Sequence, residues 1–147
     1  MSFSSFGLTR RSRVHGVHGH GPLFYIFSPL SSLFSLGYPP SLIVVERKMA
    51  ELTALSAAIP NRRIDILCYE GGTLEPLLLI ECKANSFGSK ELRQLLGYNF
   101  FIAAKYIALV GPQKIQFVDV QSQRELDHFP SYDCLKNKLK IVLQEFY

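Results

Sequence analysis

The first 41 residues contain no aspartate or glutamate, so this segment offers no carboxylate to a metal or catalytic site. Cysteine is scarce, and the spacing of Cys68, Cys82 and Cys134 matches no zinc-binding pattern. No apolar run reaches the roughly 20 residues that a membrane-spanning helix needs. A phosphate-binding GxxxxGKS/T loop is also missing, so this chain cannot translocate DNA alone. We therefore expect a cytoplasmic protein with reduced thiols and no membrane partner.

The composition indicates a folded domain. The chain has 147 residues, of which 48% are apolar and 19% charged, enough to bury one core. A net charge of +4 is only a mild bias toward anionic partners such as nucleic acid. Residues 1–37 are predicted to be partly disordered, because residues 1–21 are rich in Ser, Gly, Arg and His. The folded domain is expected to cover residues 38–147.

Periodicity and turn residues predict the order of elements. Helices are expected at 23–36, at 90–104 with Ser89 as the cap, and at 131–145. Strands are expected at 42–46, 63–69, 77–83, 106–110 and 115–120. Residues 48–58 fit either an edge strand with a loop or a short helix.

Charged residues interrupt two of the apolar strands. The run Arg63–Tyr69 and the run Leu77–Lys83 flank a turn that contains two glycines, and they read as an antiparallel hairpin. If the hairpin is symmetric about Thr73, facing positions sum to 146, and Asp65 lies opposite Glu81. Cross-strand Cβ atoms are about 5 Å apart, so the two carboxylates could share a divalent cation.

Strand alternation assigns these residues to faces. Lys83 is expected on the face of Asp65 and Glu81. The opposite face is predicted to be purely apolar, formed by Ile64, Ile66, Cys68, Leu78, Ile80 and Cys82.

A second polar pair lies on the predicted helix that follows. Gln94 and Tyr98 are four residues apart and share one helix face, which can lean toward the two acids. Each alone fits an ordinary surface or half-buried residue, but their position beside the charged hairpin favours a functional role.

These motifs resemble a known family. Asp65 followed by Glu81-Cys82-Lys83 resembles the PD-(D/E)xK nuclease signature, and Gln94 with Tyr98 resembles the QxxxY element of its RecB-like branch. The segments Asn61–Leu67 and Pro76–Ala84 look like the N-terminal domain of type I restriction enzyme R subunits, and the resemblance covers roughly Tyr38 to Gly111.

The resemblance implies an α/β fold with a central mixed β-sheet flanked by helices, a restriction endonuclease-like core. It implies Mg²⁺-dependent cleavage of DNA phosphodiester bonds, with Mn²⁺ able to substitute. Asp65, Glu81 and the carbonyl of Cys82 would ligate the metal, and Lys83 would orient water or stabilise charge on the phosphate. Gln94 and Tyr98 would position the water, the lysine or a backbone phosphate. Expected partners are DNA and subunits of restriction-modification or repair systems.

The sequence departs from this family at its N-terminal end. The family places a further metal-binding acid on a helix before the first strand, where this chain has none. Either that acid is dispensable or this end of the sequence is altered, truncated or wrongly started. Glu46 or Glu51 could replace it, although Glu46 fits better as the solvent-facing end of an edge strand. The alternative function is an inactive nuclease-like module that binds nucleic acid or a partner protein.

Overall fold

The computed structural model describes residues 22–53 and 58–137, with side chains from residue 29 onward. Its helices are α1 (Pro22–Ser35), α2 (Met49–Leu52), α3 (Ser89–Ile102) and α4 (Tyr132–Lys136). Its strands are β1 (Ile43–Lys48), β2 (Arg63–Tyr69), β3 (Pro76–Cys82), β4 (Tyr106–Val110), β5 (Ile115–Asp119) and β6 (Glu125–Leu126). No helix within the described ranges is long and apolar enough to cross a membrane.

The six strands form one mixed sheet in the order β1-β2-β3-β4-β5-β6. Every neighbouring pair is antiparallel except β3 and β4, which are parallel and are connected through α3. A parallel pair needs such a crossover, because after β3 the chain must return to the end of the sheet at which β3 begins. The predicted α/β class with a central mixed sheet flanked by helices is confirmed.

The hairpin of β2 and β3 has the predicted register over its centre. Ile66 pairs with Ile80, and Leu67 pairs with Leu79. Near the turn the register shifts between Cys68 and Tyr69, so a β-bulge lies on the turn side of the hairpin. The next position of the central register places Asp65 level with Glu81.

Two apolar cores cover the two faces of the sheet. On one face, α1 and α4 contribute Leu33 and Leu135 to a core that contains Ile66 and Ile80. On the other face, α2 contributes Met49, and α3 contributes Leu95 and Ile102. These side chains pack on strand residues of the second core: Leu67, Leu79, Ile107 and Leu109. Burial of these side chains contributes about 1.5–3 kcal/mol each before the entropic cost is subtracted.

The predicted apolar face of the hairpin is correct except at Ile64. Ile66, Cys68, Leu78, Ile80 and Cys82 pack in the first core, whereas Ile64 packs in the second core with Leu67 and Leu79. The β1 ladder skips Glu46, and the β2–β3 pairs end at Ile66, so regular pairing is interrupted at Asp65. Strict alternation fails next to this interruption.

Hydrogen bonds at both ends fix helix α3. Gly88 rather than Ser89 is the N-cap, and its backbone N–H donates to the Glu91 carboxylate at 2.7 Å. At the other end Ala103 is left-handed with φ +60°, and the Asn99 amide bonds both backbone groups of Ala104. This double anchor sets the position of the helix over the second core.

The remaining predicted elements are confirmed within the described ranges. The helix expected at 23–36 is α1, and the helix within 48–58 is the short alternative, α2. The helix expected at 131–145 begins as α4, and its second half lies outside the described residues, as do residues 1–21. Strand β6 was not predicted, because two residues carry no readable alternation.

Candidate functional site

A small cavity lies between β2, β3 and α3, at the end of the hairpin away from its turn. Its free volume is about 10 Å³, which is room for one water-sized group. Asp65, Glu81, Tyr98 and Arg62 line it together with apolar neighbours. The structure therefore brings three of the predicted site residues to one cavity.

Glu81 is at the centre of the charged contacts. Its Oε1 atom accepts from the Lys83 ammonium at 2.9 Å and from the Arg62 guanidinium at 3.1 Å. The Glu81 side chain is 14% exposed and that of Lys83 is 22% exposed. The predicted neighbourhood of Glu81 and Lys83 is thus present, and both cations share a single carboxylate oxygen.

Asp65 lies beside this pair in β2 and is half-buried. Its Oδ2 atom accepts the backbone N–H of Cys82 at 2.7 Å. Burial raises the pKa of Asp65, and the charges of Glu81 and Glu46 raise it further, against the lowering effects of the Cys82 N–H and Lys83. The protein holds a carboxylate here in a setting that disfavours its charge, which is common at functional sites.

Glu46 is not the solvent-facing end of the edge strand. Strand β1 continues to Lys48, and Glu46 lies half-buried within it with φ +50°. The ladder skips Glu46, since Val45 pairs with Ile66 and Arg47 with Ile64, which leaves Glu46 level with Asp65. A left-handed conformation is unusual for a residue other than glycine and marks a local irregularity of the strand.

The QxxxY pair is split by the structure. Tyr98 is half-buried and lines the cavity, whereas Gln94 is exposed and is not among the lining residues. The guanidinium of Arg62 lies over the Tyr98 ring at 5.0 Å from its centroid. Any role for Gln94 would therefore be toward a molecule that approaches from outside.

Arg62 was not predicted as a site residue. It precedes β2. One guanidinium nitrogen donates to the Glu81 carboxylate, and the guanidinium group lies over the Tyr98 ring. Extending the hairpin register three positions beyond Asp65 and Glu81 places Arg62 level with Ala84, just past the end of β3. That extension was the available sequence signal.

Cys82 contributes backbone rather than thiol chemistry. Its N–H bonds Asp65, while its side chain packs against the first core. Burial raises the pKa of the Cys82 thiol to about 12. A neutral buried thiol is neither a nucleophile nor a metal ligand at neutral pH.

The carboxylate oxygens of this site fit a hard divalent cation better than a metal that prefers nitrogen or sulfur ligands. In the described part of the chain, no group of three or more His, Cys, Asp and Glu side chains is arranged to hold a metal. Mg²⁺ is commonly held by one or two carboxylates and keeps several waters. The two carboxylates of Asp65 and Glu81 line the cavity and match that smaller requirement in number and kind.

Comparisons with known proteins agree with this architecture. A family model described as type I restriction enzyme R protein N terminus (HSDR_N) matches residues 32–131. The chain is also similar to a structure described as a fragment of an HsdR subunit of a type I restriction enzyme from Vibrio vulnificus YJ016, with a TM-score of 0.57 and 20% identity. The match covers 75% of this chain and 23% of that chain, and at this identity it shows a shared fold. No curated protein matches the sequence.

Proposed function

The chain belongs to the family of type I restriction enzyme R protein N termini, and from this membership we propose that it is a Mg²⁺-dependent nuclease domain that cleaves DNA phosphodiester bonds. One observation carries the proposal. Glu81, which contacts Lys83 at 2.9 Å, lines the same cavity as the half-buried Asp65. Mn²⁺ would substitute for Mg²⁺ at such a site.

The residues present fit the metal that this function requires. Asp65 and Glu81 would hold it, together with the Cys82 carbonyl. When bound, the ion would make water a better nucleophile and neutralise charge on the phosphate. Burial is the main cause of the raised pKa of Asp65, and the charges of Glu81 and Glu46 add to it; a bound divalent cation would offset that added repulsion.

The other side chains act on the substrate. The Lys83 ammonium has three donors and uses one on Glu81, so it can also donate to a phosphate oxygen as negative charge develops there. Gln94 is exposed at the outer part of α3, where it would contact the DNA backbone. Tyr98 would position groups within the cavity.

The larger biological setting is part of the same proposal. The matched fragment belongs to a subunit of a type I restriction enzyme, and this chain spans only 23% of that fragment's chain. We propose that the domain works with DNA and with other subunits of a restriction-modification or repair system.

A matched pair of lysine variants tests the cleavage. Lys83 and Lys105 each contact carboxylates of this fold, but Lys105 lies far from the cavity, near Glu70 and Glu75. Supercoiled plasmid is incubated with Mg²⁺ or Mn²⁺ and with wild type, Lys83→Ala or Lys105→Ala. We expect the wild type and Lys105→Ala to nick at similar rates, and Lys83→Ala to lose at least about 100-fold. Equal nicking by the two variants would remove the proposal.

A second function, an inactive module that binds nucleic acid or a partner protein, is favoured by two observations. Residues 1–41 contain no acid, and among the residues that the structure describes two carboxylates, Asp65 and Glu81, line the cavity. This function predicts salt-dependent DNA binding without nicking in any divalent metal.

A further inference from the structure

Arg62 occupies a position whose chemistry extends beyond the acids and the lysine. The side chain is 43% exposed, so it reaches solvent while one of its nitrogens bonds Glu81 at 3.1 Å. It is held on both sides, by a carboxylate and by an aromatic face. A long arginine normally loses considerable rotamer entropy when it is fixed, and here that cost is met before any ligand arrives.

The guanidinium keeps donors available in this position. Arginine has five N–H donors in a planar fork, and the Glu81 contact uses one nitrogen. No other hydrogen bond of the Arg62 guanidinium occurs among the described residues. Phosphate oxygens match such a fork bidentately, which an ammonium group cannot do.

Arg62 and Lys83 share one carboxylate oxygen. Both contact Oε1 of Glu81, while Asp65 and Glu46 add negative charge nearby. The second Glu81 oxygen, Oε2, has no hydrogen-bond partner in the described part of the chain. Glu81 could therefore hold a cation through Oε2 and Arg62 through Oε1 at the same time.

We propose that Arg62 binds a DNA backbone phosphate at the mouth of the cavity, and that the Tyr98 ring and Glu81 position its guanidinium for this contact. The inference rests on the proposed function, because DNA is taken as the ligand. It assigns Tyr98 a positioning role that depends on its ring and not on its hydroxyl group.

Binding measurements test this proposal independently of cleavage. A fluorescently labelled duplex DNA is titrated with protein in buffer that contains Ca²⁺ in place of Mg²⁺, and anisotropy is read at several salt concentrations. Arg62→Ala should weaken binding about tenfold and lower the salt dependence by about one counterion. Arg62→Lys keeps the charge without the fork and should fall between wild type and Arg62→Ala.

Variants of Tyr98 separate the ring from the hydroxyl group. Tyr98→Phe keeps the ring beneath Arg62 and should therefore lose less binding than Tyr98→Leu. Tyr98→Leu should approach the loss of Arg62→Ala. Arg124→Ala is the matched control, since Arg124 is exposed in the β5–β6 connection, and it should stay within about twofold of wild type. Circular dichroism verifies that each variant is folded.

The outcomes distinguish this inference from the proposed function. If the wild type nicks plasmid and binds DNA while Arg62→Ala binds equally well with the same salt dependence, the role of Arg62 is overturned and the nuclease remains. If the wild type binds but does not nick, and Arg62→Ala binds more weakly, cleavage fails and the phosphate contact stands. Absence of any DNA binding by wild type overturns both. If Arg62→Ala does not fold, equal binding by Arg62→Lys, Tyr98→Leu and wild type overturns the inference.

Discussion

The hairpin of β2 and β3 has a charge cluster at each end, and the two clusters are mirror images in sign. At the turn, one cation lies between two acids: Lys105 contacts Glu70 at 2.8 Å and Glu75 at 3.6 Å. At the open end, one acid lies between two cations, since Glu81 contacts both Arg62 and Lys83. The kinds of contact are similar, but the surroundings differ.

The difference lies in exposure and in the neighbouring carboxylate. The Lys105 side chain is 49% exposed and Glu75 is 61% exposed, so solvent screens the turn cluster. The open-end cluster is less exposed and stands next to Asp65, whose pKa is raised mainly by burial. The comparison shows that an ion pair by itself does not mark a site. A neighbouring charged group in an unfavourable setting is the more informative sign.

The largest expected contrast is in DNA cleavage. Glu81→Gln should reduce plasmid nicking at least about 100-fold, because it removes the charge proposed to hold the metal. Glu70→Gln changes the turn cluster in the same way and should leave nicking within about twofold. A comparable loss in both variants would show that the two ends do not differ in function.

The next contrast is in stability without metal. Asp65→Asn should raise the free energy of unfolding by about 0.5–2 kcal/mol, because it removes a charge that burial disfavours while an amide oxygen can still accept the Cys82 N–H. Urea denaturation in the presence of a chelator measures this change. A less stable Asp65→Asn variant would contradict the prediction.

Metal binding should depend on pH through Asp65. A folded carboxyl whose pKa is raised holds its proton above the unfolded value, so its charged form costs stability as the pH rises through the folded pKa. A divalent cation needs the ionised form. Mn²⁺ affinity should therefore fall as the pH is lowered through the raised pKa, by a few-fold or more, and calorimetric titration in a series of buffers of decreasing pH measures it. In Asp65→Asn any remaining affinity should vary less over this range, and an equal pH dependence would exclude Asp65 as the cause.

The smallest expected effect is at the turn. The hydrogen bond to Glu70 raises the pKa of Lys105, so this pair contributes stability below the unfolded lysine pKa and loses it as the pH rises through the folded value. Lys105→Ala should cost less than about 1 kcal/mol, because the Lys105 side chain is 49% exposed and solvent screens its charge, although Glu70 is 13% exposed. Urea denaturation at pH 7 in low and high salt should show this cost shrinking with salt. A cost above about 2 kcal/mol would mean that the turn cluster is more than a screened surface pair.

The sequence was sufficient for the arrangement of the hairpin but not for the details around it. A symmetric turn between two apolar runs predicted the pairing of Ile66 with Ile80, because side-chain period and turn length together fix register. The left-handed conformation of Glu46 could not be predicted, since nothing in its residue type favours it. That irregularity also explains why Ile64 was assigned to the wrong face.

Helix spacing predicted the face of Tyr98 better than that of Gln94. Residues four apart differ by about 40° around the axis, enough to place one in a cavity and the other outside. Which residue lies inside depends on how α3 sits on the sheet, and that is set by distant contacts such as those of Asn99 with Ala104. The contacts of Arg62 involve both the hairpin and α3, so the hairpin register alone places it near Glu81 but does not predict its packing on Tyr98.

The β-bulge between Cys68 and Tyr69 has a consequence for how this protein can change. It lies between the turn and the acids, so the extra residue in one strand is absorbed before the ladder reaches Ile66 and Ile80. Gly72 at the tip has open space around it, but its φ of +95° favours glycine, and the Gly71 N–H donates to the Tyr132 hydroxyl at 2.7 Å. Because the bulge separates this fixed turn from the two acids, a small shift of the tip need not change their alignment.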